Sequence, residues 1–323
     1  MSDTVNITIT GAAGQIAYAL LFRLAAHPAF AEIGLNLRLL EVEPALPALE
    51  GVKMELRDGA FPALRDITTT GDAETAFGDA DMIFMVGARP RSAGMERKDL
   101  LSANAAIFSA QGRAINKVAK KTAGVLVVGN PANTNCLIAQ QNAPDMPPSA
   151  FTAMTRLDHN RLMAQLAEKA GQPLAAVKGA IIWGNHSATQ YPDIHHATIG
   201  GKAAMDIVGE EWYKSTMIPA VQQRGAAIIK ARGASSAASA ASAAFDHSFD
   251  WWKGGDDIVS MAIVSGGEYG IEKGLVYSYP MRCQNGEAVV VEGLDVNAFG
   301  EEKMRVSERE LQEERDAVRH LLP

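Results

Sequence analysis

Hydrophobic residues in the first half of the chain fall into short runs separated by segments of a different period. Val5–Thr10 (VNITIT), Asn36–Val42 (NLRLLEV), Ile67–Thr70, Ala80–Val86 (ADMIFMV) and Gly124–Gly129 (GVLVVG) are brief and rich in apolar or β-branched residues, which predicts strands. Between them Gln15–Ala26, Leu49–Leu56 and Leu100–Lys120 repeat apolar residues at helical spacing, and Pro28 closes the first of these. A continuously apolar run such as GVLVVG suits a strand of a parallel sheet, covered on both faces. Strands alternating with helices over about 150 residues predict βαβ units and a doubly wound α/β sheet.

The rhythm changes after Asn142–Ser149 (NAPDMPPS), where three prolines interrupt the chain. Longer helical stretches and hairpin-like strands follow, which predicts a first domain over residues 1–154 and an α+β domain over 155–323. Ala234–Ala244 contains seven Ala and four Ser with no Pro or Gly, so a tightly packed helix is expected rather than a linker. Glu301–Leu322 alternates charges with Met304, Val306, Leu311, Val318 and Leu321 and reads as an amphipathic surface helix with a solvated polar face.

Composition narrows the function. The 323 residues are 47% hydrophobic, enough for two cores, with 30 Lys and Arg against 37 Asp and Glu, a net charge of −7. An acidic chain with no basic run is a poor nucleic-acid or membrane-surface binder, because phosphate binding needs clustered cations. An anionic ligand would have to be held by local groups. Cys136 and Cys283 form no CxxC pair, so neither a zinc site nor a redox motif is expected and each reads as a free thiol. Residues 1–6 lack a cationic leader, and no stretch approaches a membrane span, which makes a cytoplasmic location the expectation.

Four segments carry chemistry. Thr10-Gly11-Ala12-Ala13-Gly14-Gln15-Ile16-Ala17 departs from G-x-G-x-x-G at Ala13 and Ala17, yet it joins a strand to a helix. The unpaired amides and dipole of a helix start attract an anion such as a pyrophosphate, and small residues let the backbone approach it. Glu41, 24 residues after Ala17, closes the second predicted strand. A carboxylate there accepts the hydroxyls of an adenosine ribose and repels a 2′-phosphate, which favours NAD over NADP.

The second segment, Gly87–Lys98, carries Arg89, Arg91 and Arg97 among Gly and Pro after a strand end, where open α/β sheets bind ligands. Arginine pairs with carboxylates in a planar, bidentate manner. In the third, Leu157-Asp158-His159-Asn160-Arg161, the spacing places Asp158 and Arg161 on one helical face. Trp183-Gly184-Asn185-His186-Ser187 follows a short apolar strand as a loop. A histidine beside an aspartate can act as a general base. Spacing alone does not choose among His159, His186, His195 and His196.

Taken together, TGAAGQIAYALLFRLA, GMERKDLL, VVGNPANTN, TRLDHNR and GNHSATQYPD, spread over some 180 residues, resemble NAD-dependent malate dehydrogenase of the cytosolic type, within the lactate/malate dehydrogenase superfamily. The resemblance implies a Rossmann domain followed by a substrate domain. It further implies a cytoplasmic homodimer of the tricarboxylic acid cycle that oxidises malate to oxaloacetate, a small dicarboxylate pair. Carried over by motif, His186 would be the proton acceptor and Asp158 its orienting carboxylate. Arg161 would clamp the carboxylate beside the reacting carbon. Arg91 would bind the distal carboxylate, Arg97 would polarise the carbonyl, and Asn130 would touch substrate and nicotinamide. Cofactor contacts would fall to Gly11–Ala17, Glu41, Asn104, Gln111, Val128, Gly129 and Asn130, and Ser235 would line the pocket. Glu41 stands where Asp is more usual, and Arg89 adds a cation where relatives carry an uncharged residue.

Two other enzymes and one binding protein are the alternatives. A lactate or other 2-hydroxy acid dehydrogenase shares the machinery, but Arg91 disfavours it. Tyr269-Gly270-Ile271-Glu272-Lys273 fits the Y-x-x-x-K of short-chain reductases only in form, because the glycines around it predict no helix. A non-catalytic NAD-binding module would need no general base.

Overall fold

The computed structural model describes residues 4–89, 97–284 and 286–323. The chain forms two compact units. The first runs through Thr152 and takes in 240–245 and 315–323; the second comprises 153–239 and 246–314. A single division at 154/155 is too simple for this arrangement, since two later segments return to the first unit.

In the first unit β1 (Val5–Thr10), β2 (Leu35–Leu40), β3 (Leu64–Thr70), β4 (Met82–Met85), β5 (Gly124–Val127) and β6 (Phe151–Ala153) follow the order β6-β5-β4-β1-β2-β3. The pairs β1/β2, β2/β3, β1/β4 and β4/β5 are all parallel. The predicted strands therefore form, with ends shifted by a few residues. Buried Ile7, Ile9, Ile83, Phe84, Val125 and Leu126 explain the continuous apolar runs. Thr8 and Thr10 interrupt β1 without cost, because the Thr8 hydroxyl donates to the Ala76 carbonyl at 2.6 Å and Thr10 Oγ1 accepts from the Gly87 amide at 3.0 Å. The strand order reverses at β1/β4, so the turns after these two strands sit at the switch point where such sheets bind ligands.

The second unit holds the helix Arg156–Ala170, short strands β7 (Val177–Lys178), β8 (Ile181–Trp183), β9 (Tyr191–Asp193), β10 (Thr198–Ile199) and β11 (Lys202–Ala203), and the antiparallel strands β12 (Val259–Val264), β13 (Val276–Gln284) and β14 (Glu287–Val290). Two expectations need correction here. The Ala/Ser segment becomes helical only at Ala238, because Gly233, at φ 71°, ends the preceding helix and residues 234–237 are irregular. The C-terminal helix Ala298–Val318 does not turn a solvated face wholly outward: Ser307, Glu308 and Glu314 are buried beside Met304, Leu311 and Val318. No helix among the described residues is long and apolar enough to cross a membrane.

Candidate functional site

The turn after β1 is shaped for close backbone approach. Gly11 sits at φ 62°, and a Cβ there would lie 2.5 Å from the Gly87 Cα and 2.9 Å from its nitrogen. The turns after β1 and β4 therefore meet backbone to backbone at Gly11 and Gly87. Gly14 caps the helix Gln15–Ala26 in an extended conformation, with no side chain on the first-turn amides. Gly14 and Gln15 are exposed, Ala13 and Ile16 half-buried, and Ala12 and Ala17 fully buried, so the methyl groups of the last two pack inward.

Glu41 follows β2 and reaches the same turn: its carboxylate accepts from the Ala13 amide at 3.2 Å and from the Val42 amide at 2.9 Å. Gln111 has a buried side-chain oxygen without a hydrogen-bond partner among the described residues. These features fit a dinucleotide: a glycine cradle, a helix start with open amides, a carboxylate beside them and an orphaned polar atom. Val128 and Gly129 continue beyond β5, both bonded to the Met85 carbonyl. Asn130 is exposed, and its peptide to Pro131 is cis.

Asn104 does something other than reach outward. It is fully buried; its carbonyl accepts from the Arg89 amide at 2.7 Å and its amide donates to the carbonyls of Arg89 and Asn130 at 3.3 Å each. The side chain pins two loops. Arg91 lies outside the described residues, and Arg97 is described only as the first residue of the helix Arg97–Val118.

In the second unit His186 and Asp158 meet. The His186 Nδ1–H donates to Asp158 Oδ2 in a short contact. Asp158 Oδ1 accepts from Arg161 Nη1 at 3.1 Å and from Gln190 Nε2 at 3.2 Å, and Arg161 Nη2 donates to Ser236 Oγ at 3.3 Å. The Asp158 side chain is 0% exposed while those of Arg161 and His186 are 12% and 16% exposed. The carboxylate is sealed in, and the cation and the imidazole reach the surface.

Opposed effects set the protonation states. Burial works against an ionised Asp158, but the His186 and Arg161 charges and the bonds from His186 and Gln190 outweigh it, and its pKa falls below the usual 3.8. Burial also disfavours protonated His186. The Asp158 charge and hydrogen bond prevail over burial and over Arg161, and the imidazole pKa rises above 6.5.

The other histidines separate cleanly. His159 is buried against Ser260, 3.1 Å from Nδ1, and burial with the nearby Arg156 pushes it down to about 3. His196 Nε2 donates to the Asp295 carbonyl. His195 has its own carboxylate, Asp193 at 2.7 Å, but Asn297 stands 2.9 Å from its Nε2. Among the described residues, only His186 combines an aspartate with a nearby arginine.

Sequence reasoning missed Gln190 and Ser236. It pointed instead to Ser235, whose carbonyl accepts from Arg232 Nη1 at 3.2 Å. Gln190 lies four residues after His186 in the same segment, Gly184–Asp193, and no spacing rule ties it to Asp158. The Y-x-x-x-K match dissolves, since Tyr269 has φ 52° and lies in a single 3-10 turn.

An open-amide turn at the switch point of a parallel sheet, followed by a unit with a histidine–aspartate pair beside an arginine, is the build of a nicotinamide-dependent dehydrogenase. Residues 5–151 match the lactate/malate dehydrogenase NAD binding domain, and 155–322 match the lactate/malate dehydrogenase alpha/beta C-terminal domain. The chain belongs to the lactate/malate dehydrogenase family, and its cofactor is NAD. Malate dehydrogenase from Naegleria fowleri is 52% identical over 99% of both chains, with a TM-score of 0.96. Lactate dehydrogenase from Trichomonas vaginalis, solved with NADH and oxamate, is 36% identical over 98% of this chain and 99% of that one, with a TM-score of 0.94. Malate dehydrogenase from Plasmodium falciparum, at 22% identity over 99% and 100% with a TM-score of 0.82, shares the fold.

Proposed function

We propose that this protein is a malate dehydrogenase, interconverting (S)-malate and oxaloacetate. The observation that carries the catalytic part is the buried Asp158 holding both His186 and Arg161. The 52% identity to a malate dehydrogenase supports the choice of substrate, as does Arg91.

In this reading Arg161 binds the carboxylate next to the reacting carbon, and Arg91 binds the distal one. Each charge-assisted pair is worth on the order of 1.5–3 kcal/mol. With Nδ1 committed to Asp158, His186 takes the substrate hydroxyl proton at Nε2. Asp158 stays ionised and stabilises the imidazolium that results. NAD, when bound, would supply the acceptor for the hydride that C2 of malate gives up, its C–H bond breaking with both electrons while the hydroxyl proton passes to His186. Gly11–Gly14, Gln15 and Ile16 hold its pyrophosphate and Glu41 its ribose, while Gln111, Val128, Gly129 and Asn130 border the rest. Arg97 polarises the substrate carbonyl. Asn104 serves by shaping the loops of Arg89 and Asn130.

The test follows NADH absorbance with oxaloacetate, with pyruvate and with no substrate, for the wild type and for Arg91→Gln. Wild type should prefer oxaloacetate, and the variant should lose that preference through kcat/KM. A wild type that favours pyruvate would make it a lactate dehydrogenase. An unchanged ratio in Arg91→Gln would remove Arg91 from the substrate site.

A further inference from the structure

Asp158 fixes the His186 ring, but other side chains hold the backbone that carries it. The residues on either side of His186 converge on one carboxylate of the C-terminal helix. Glu310 Oε2 accepts from Asn185 Nδ2 at 2.9 Å, from the Thr189 hydroxyl at 2.6 Å and, in a shorter contact, from the Ser187 hydroxyl. Ser307, one turn earlier, accepts from the Asn185 amide at 2.8 Å and lies 3.1 Å from Thr189 Oγ1. Glu314, one turn later, accepts from Asn185 Nδ2 at 3.4 Å. The helix presses so closely that a Cβ on Gly184, at φ 93°, would fall 2.1 Å from Ser307 Oγ. Asn185 is 2% exposed, so its amide has no water to fall back on if these acceptors leave. An ionised acceptor taking three donors binds each more strongly than a neutral one.

We propose that Glu310 is a positioning residue of the dehydrogenase, its carboxylate gathering Asn185, Ser187 and Thr189 so that His186 keeps its place against Asp158 and the substrate. The inference rests on the dehydrogenase reading of His186. The charged groups bearing on the imidazole are Asp158 and Arg161, both on the helix Arg156–Ala170. From the C-terminal helix, Glu310 and Glu314 accept hydrogen bonds from the loop residues around His186. If the loop slackens, His186 loses Asp158, while burial and Arg161, which both lower its pKa, remain.

The experiment compares Glu310→Gln with Glu308→Gln. Glu308 lies on the same helix and is bound to Arg305 and the Glu272 amide, away from the His186 loop. Steady-state oxaloacetate reduction, NADH affinity by fluorescence and the His186 ring titration by NMR are read on each. Glu310→Gln should lower kcat by about tenfold to a hundredfold, as loss of alignment does. It should also lower the His186 pKa and leave NADH affinity unchanged, while Glu308→Gln leaves kcat and that pKa near wild type. Thr189→Val, which removes one donor, should act in the same direction but less.

A folded Glu310→Gln with wild-type kcat and His186 titration overturns the proposal, and so does an equal effect from Glu308→Gln. If Glu310→Gln does not fold, an unchanged Thr189→Val overturns it. If wild type reduces no 2-oxo acid, the dehydrogenase reading fails by itself, and the NMR titration still decides whether Glu310 positions His186.

Discussion

Replacing Asp158 by Asn keeps the shape of the side chain and removes its charge. The side chain is fully buried and receives His186, Arg161 and Gln190. No water can replace what is lost, so the change should fall on the chemistry. We expect Asp158→Asn to lower kcat for oxaloacetate reduction by about 10²–10⁴-fold, the usual worth of a positioned acid–base group. Coenzyme affinity should stay close to wild type; steady-state kinetics and NADH fluorescence check both, and an undiminished kcat would sink the assignment. At this scale the sequence was legible only in part. The three-residue step from Asp158 to Arg161 placed them on one helical face. The partnership of Asp158 with His186 spans 28 residues and came from matched words, not from spacing. Gln190, Ser236 and Glu310 stayed hidden, because each acts through a tertiary contact that leaves no periodic trace.

Elements were read more easily, since each has a local cause. β1, β4 and β5 showed as apolar runs because both faces are buried, and the helix Gln15–Ala26 appeared with its observed ends. The first few Ala/Ser residues misled, because helix propensity is weak against a neighbouring glycine terminus and an arginine that needs Ser236. The turn after β1 makes its own prediction. Gly11→Ala puts a side chain at positive φ against the backbone of Gly87, which cannot move aside as a flexible side chain could. We expect backbone strain of about 1–3 kcal/mol, hence a lower melting temperature by roughly 2–4 °C per kcal/mol. NADH binding should weaken with it. Calorimetry and fluorescence titration check this; unchanged NADH affinity would show that the turn does not hold the dinucleotide.

At the scale of the whole molecule, length and rhythm revealed two units but not their membership. Residues 240–245 and 315–323 belong to the first unit, a return that no local pattern marks. Net charge proved a weak guide to ligands. The −7 is a sum over the whole chain, whereas a dicarboxylate, in the proposed reading, would depend on Arg91, Arg97 and Arg161 as individual groups. Catalysis in both directions requires that one group serve as base for malate and as acid for oxaloacetate. In the proposed reading His186, whose pKa the Asp158 charge and hydrogen bond raise above 6.5, would do both. The sign follows directly. Malate oxidation needs neutral imidazole, so its kcat/KM should rise as pH passes upward through the His186 pKa. Oxaloacetate reduction needs imidazolium, so its kcat/KM should fall over the same range.

The most direct test is this pair of pH profiles, recorded on wild type and on Asp158→Asn. The account predicts limbs of opposite slope in wild type, each governed by a group titrating above 6.5, and both moved to lower pH in the variant. Limbs of the same slope, or limbs that Asp158→Asn leaves in place, would contradict it.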